Sequence, residues 1–92
     1  MDCLKDFVEF LKKFHIQYEL SAFECIETGE KFLSVHLNRW NGTNSGVYGQ
    51  MTKNEWVFDY VSGELKDIIT NPYYRRKEKF KNYQMIPVRE DL

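Results

Sequence analysis

At 92 residues, 42% apolar and 29% charged, the chain is sized for a single domain over 1–92, and its 7 Phe, 6 Tyr and 2 Trp exclude a disordered one. Thirteen basic against fourteen acidic side chains, a net charge of -1, argue against a chain built wholly around nucleic acid. The distribution is uneven, with 3 Lys against 7 Asp and Glu in residues 1–30 and 7 basic against 5 acidic residues in 61–92.

Leu4, Phe7, Val8, Leu11 and Phe14 recur at helical spacing, Phe10 and Tyr18 widen the stripe, and Lys5, Asp6, Glu9, Lys12 and Lys13 fall opposite. Asp2 can accept hydrogen bonds from the unpaired first-turn amides, so an amphipathic helix is predicted over 3–16. Its polar face mixes both signs of charge, which gives no attraction to an anionic membrane surface. From Tyr18 the pattern becomes that of a hairpin: YELSAFECI, the Glu27-Thr28-Gly29-Glu30 turn, then KFLSVHLNRW. Leu33, Val35 and Leu37 alternate with Ser34, His36 and Asn38, which predicts one core face and one wet face. In the first strand Leu20 and Ala22 oppose Phe23 and Cys25, a conflict that a bulge would reconcile.

Residues 41–46, Asn-Gly-Thr-Asn-Ser-Gly, read as a surface loop. VYGQM and EWVFDYV then flank Thr52-Lys53-Asn54-Glu55, which suggests a second hairpin, although Thr52-x-x-Glu55 also matches a helix-opening capping box. The strand formers Trp56, Val57, Phe58, Tyr60 and Val61 favour the strand reading. A turn at Val61-Ser62-Gly63-Glu64 leads into LKDIIT, which fits either a strand or a helical turn. Asn71-Pro72 is a cap followed by a first-turn proline, so a helix is predicted over 72–83, with Met85, Ile86 and Val88 in a closing extended segment and Arg89 to Leu92 fraying.

The candidate chemical constellations lack accomplices at the sequence level. His15 borders the apolar arc of the first helix, where a histidine usually serves packing. His36 is the better candidate base, but spacing supplies no serine–histidine–acid or cysteine–histidine set. Cys3, His15, Cys25 and His36 contain no closely spaced ligand pair, which argues against structural zinc. The glycines at 42, 46 and 49 lack the Lys-Ser/Thr of a phosphate loop, and Asn41-Gly42-Thr43 is too common a triplet to imply glycosylation. No apolar leader core follows Met1, and the longest aliphatic or aromatic run is Trp56 to Phe58, far short of the ~20 residues that span a bilayer. A cytoplasmic location with free thiols is therefore expected.

Two surfaces remain. The segment Tyr73 to Tyr83 carries five basic residues against Glu78 and four aromatics. Its Tyr74, Arg75, Arg76, Lys77, Lys79 and Lys81 could bind nucleic acid through phosphate neutralisation and base stacking, unless a helix buries the aromatics. Arg39, Trp40, Tyr48 and Trp56, with His36, border the polar loop and the wet sheet face, and such aromatics and arginines anchor protein interfaces. Glu19, Glu24, Glu27 and Glu30 along the first hairpin could steer a basic partner or merely keep the surface solvated.

The sequence thus predicts an α+β fold: an N-terminal amphipathic helix on a mainly antiparallel sheet of four to six short strands, with a second helix near the C-terminus. The function expected is that of a small non-catalytic protein-binding module, without cofactor or metal, docking on a larger protein as a monomer or homodimer. An accessory or inhibitory protein of a phage or another mobile element would suit this size. The alternative is nucleic-acid binding through 73–83.

Overall fold

The computed structural model describes residues 2–41, 50–70 and 82–92, with side chains described at 2–37, 54–69 and 82–92. Helix α1 (Cys3–Lys13) precedes strands β1 (Glu19–Cys25), β2 (Lys31–Asn41), β3 (Gln50–Asp59), β4 (Leu65–Thr70) and β5 (Tyr83–Ile86). They form one antiparallel sheet in the order β4-β3-β2-β1-β5.

The start of α1 is fixed by Asp2, whose Oδ1 accepts the Lys5 amide at 3.0 Å. Its end comes earlier than the predicted residue 16. The Ile16 amide donates to the Leu11 carbonyl and the His15 amide to the Lys12 carbonyl, with His15 at φ 56, which is a Schellman stop with histidine where glycine is usual. Leu4, Val8 and Leu11 bury their side chains against Ala22, Leu33, Val35 and Phe58. Each such burial contributes roughly 1.5–3 kcal/mol. Phe10 and Phe14, expected in the apolar stripe, stand 51% and 57% exposed, because the residues that meet the sheet are centred on Leu4, Val8 and Leu11 and leave these two on the flank.

The predicted wet face is a second core. In register, Phe32, Ser34 and His36 of β2 lie opposite Phe23, Ser21 and Glu19 of β1 and Asp59, Val57 and Glu55 of β3. Phe23, Phe32, Val57 and Ile69 form a buried cluster there, and Ser34 and Glu55 are wholly buried with them. The divided pattern of β1 follows: Leu20 and Ala22 serve the helix side, Phe23 serves the other, and β1 pairs with β2 residue for residue, without the bulge expected. The sheet's register shift lies instead between β3 and β4, at Val57/Phe58.

The expected turn at 52–55 is absent. Thr52 to Glu55 lie inside β3 and pair with Arg39 to His36, so 50–59 is one strand facing β2 along its whole length. The segment left open at 64–70 is β4, and Met85 and Ile86 lie in β5 as the closing extended segment. The helix predicted over 72–83 falls on residues outside those described, except at its end, where Asn82 has φ 54 and Tyr83 opens β5. The final residues do not fray. Arg89 donates to Asp2 at 2.8 Å and to Asp91 at 2.6 Å, Lys12 Nζ donates to the Leu92 carbonyl at 3.0 Å, and Val88 and Leu92 pack on the helix-side core.

Candidate functional site

Among the described residues β1 accompanies β2 as far as the Glu19–His36 pair, and β4 accompanies β3 as far as Asn54–Thr70. Beyond them β2 and β3 continue to pair with each other from Leu37–Asn54 to Asn41–Gln50. Among the described residues this stretch is a two-stranded ribbon with no neighbour on either edge. It carries Arg39 and Trp40, whose Cα partners are Thr52 and Met51. An isolated ribbon is marginal by itself, so the continuous register with the sheet below is what orients it.

The structure separates the other predicted anchors. Trp56 pairs with Val35 and points to the helix side, where its ring stacks on Phe7 at 4.8 Å. It is half-buried and supports the helix. His36 lies one position along and therefore on the opposite face, at the root of the ribbon. Tyr48 lies outside the described residues, as do Tyr74, Arg75, Arg76, Lys77, Lys79 and Lys81 of the basic segment.

His36 has the company that spacing did not supply. Its Nε2 is 3.0 Å from Ser21 Oγ on β1 and 3.7 Å from Glu55 Oε1 on β3, so three strands contribute one polar row at 20% exposure of the imidazole. Glu55 is fully buried, and a carboxylate there requires compensation from neighbours such as this imidazole. Among the described residues the geometry differs from a nucleophile relay. A relay places the acid on the ring nitrogen opposite the serine, whereas Ser21 and Glu55 both approach Nε2. The row is a polar clasp across β1, β2 and β3. Sequence reasoning alone does not find Ser21, which carries no motif, or Glu55, which falls in the turn expected over Thr52-Lys53-Asn54-Glu55. The alternation of Glu55, Val57 and Asp59 against Trp56 and Phe58 was the available signal.

Cys3, His15, Cys25 and His36 sit at the start of α1, after its end, at the end of β1 and in mid β2, and no His, Cys, Asp or Glu group among the described residues is arranged to hold a metal. The Thr28 hydroxyl and amide beside Cys25 hold its thiol below the usual range. Glu24 and Glu27 accept hydrogen bonds from Gln84 and Asn82, tying β5 and its approach to the first hairpin. A recess of about 340 Å³ is lined, among the described residues, by Ile16, Gln17, Tyr18 and Glu19 of the link from α1 to β1, with Glu19 the one carboxylate among them. No helix among the described residues is long and apolar enough to cross a membrane. Compared with protein-family models, characterised proteins and solved structures, the chain matches none.

Proposed function

We propose that this protein is a non-catalytic binding module that docks on a larger protein through the β2–β3 ribbon. The observation that carries the reading is the run of register from Leu37–Asn54 to Asn41–Gln50, which among the described residues continues beyond the pairings with β1 and β4 and puts Arg39 and Trp40 on a two-stranded ribbon. Arginine and tryptophan on a pre-ordered strand pair lose little freedom on binding, and such residues dominate interface energies. The clasp of Ser21, His36 and Glu55 joins three strands at the ribbon's root and holds its direction. The proposal includes an accessory or inhibitory role, exerted by occupying the partner's surface.

The test is affinity capture from the cells that make the protein, comparing the native chain with Arg39→Ala/Trp40→Ala. Loss of a discrete protein partner from the variant, at unchanged thermal stability, supports the reading. Capture of the same proteins by both chains overturns it, as does recovery of nucleic acid whose binding falls steeply with salt.

A further inference from the structure

We infer that the aromatic flank of α1 is a self-complementary docking surface for a second copy of this chain, with two antiparallel α1 helices related by a two-fold axis. The C-terminal segment already occupies one side of the helix, through Asp2–Arg89 at one end and Lys12–Leu92 at the other. On another side Phe10 and Phe14 stand 51% and 57% exposed with ring centroids 4.7 Å apart, and Ile16 beyond them is 41% exposed. Two adjacent, half-exposed phenylalanines on a capped helix are an anchor pair without a role in the core.

Charge selects the occupant. The row beside the rings carries Asp6 toward the start of α1 and Lys13 at its last turn, both exposed. They are seven residues apart, about 10.5 Å along the axis and about 20° around it, so they lie on one line. An axis passing between Glu9 and Phe10 brings Asp6 of each copy opposite Lys13 of the other. A parallel arrangement would oppose like charges instead, so the pattern favours the antiparallel two-fold. Lys13 Nζ lies 5.8 Å from the Phe14 ring centre, close enough to cover the edge of the aromatic contact.

The size of the surface sets the strength. About half of each phenylalanine is open, so four rings remove roughly 400 Å² from water, given about 200 Å² per ring. Ile16 and the charged rim add to this, and the total stays at the small end for a specific interface, about 1,000 Å² or less. An interface this small is weak, so association is expected only at about 10 μM protein or above.

Sedimentation equilibrium of the full chain over about 10 μM to 1 mM tests this. The native chain passes from monomer to dimer. Asp6→Lys and Lys13→Asp each weaken association about tenfold or more, and the charge swap Asp6→Lys/Lys13→Asp restores it to within about threefold. Phe10→Ser/Phe14→Ser is monomeric throughout, with circular dichroism confirming that each variant is folded. A monomer at every concentration overturns the inference. So does a dimer indifferent to these substitutions, or a charge swap as weak as the single reversals. Because Arg39 and Trp40 are untouched, a failure here is distinguishable from a failure of the ribbon reading.

Discussion

Of the two described glycines, Gly63 is the one where a single methyl group is expected to do more damage. It has φ +74 in the turn between β3 and β4, and its carbonyl accepts the Leu4 amide at 2.9 Å. A Cβ there would fall 2.6 Å from Asp2 Cγ, closer than real Cβ atoms come to a neighbour. Asp2 cannot move aside freely, since it caps α1 through the Lys5 amide and receives Arg89 at 2.8 Å. Gly63→Ala therefore incurs about 1–2 kcal/mol for a left-handed alanine, about 1 kcal/mol for the disturbed cap and up to ~1 kcal/mol for the partly exposed ion pair. The sum is about 3 kcal/mol, a large share of the 5–15 kcal/mol typical of a domain. Gly29 supplies the control, with φ +75 and nothing within 4 Å of its Cβ position. Gly29→Ala should cost only the backbone part, about 1–2 kcal/mol. Urea unfolding of both variants, with and without Asp2→Ala, measures the difference. Equal losses at the two glycines, or a Gly63→Ala cost unchanged when Asp2 is removed, would refute the reasoning.

Replacing His15, the left-handed residue that stops α1, with glycine should raise stability by about 0.5–1 kcal/mol, read as a higher unfolding midpoint; a loss would show that its side chain is needed there. Ser34 has a wholly buried hydroxyl with no hydrogen-bond partner among the described residues, so Ser34→Ala should be neutral or stabilising in the same assay rather than costly. Hydrogen bonds from Arg89 hold the Asp2 and Asp91 carboxyls below their ordinary 3.8. That stabilisation is present above about pH 4 and is lost as pH falls through the lowered folded values, so Arg89→Ala should flatten the acid limb of the stability profile. The Cys25 thiol should be alkylated with a pH midpoint below that of a free cysteine, and Thr28→Val should move the midpoint upward; an unmoved midpoint removes the Thr28 hydroxyl as the main cause.

What could be read from the residues depended on how local the determinant was. The helix start at Asp2 and the two glycine turns rest on contacts within four residues, and they stand where capping and turn chemistry place them. The end of α1 at Lys13 depended on a histidine accepting φ 56, for which propensity gives no warning. Ser34 sits on the face that alternation marks as wet and Glu55 in an expected turn, yet both are buried on the sheet face that carries Phe23, Phe32, Val57 and Ile69, which a strand pattern read one strand at a time does not reveal. The capping-box likeness of Thr52-x-x-Glu55 was overridden by pairing with Arg39 to His36, a long-range term. The candidate site was half legible: Arg39 and Trp40 share the ribbon, while Trp56 is taken up by Phe7 on the helix side and Ser21 joins His36 only through the β1–β2 register.

Site-specific photo-crosslinking addresses the ribbon most directly. A photoreactive phenylalanine analogue placed at Trp40, and in a separate chain at Lys5 on α1, is irradiated in the cells that make the protein. Docking through the ribbon predicts one discrete protein adduct from position 40 and none of the same mass from position 5. Adducts of identical mass from both positions, or nucleic acid as the species joined at position 40, would contradict it.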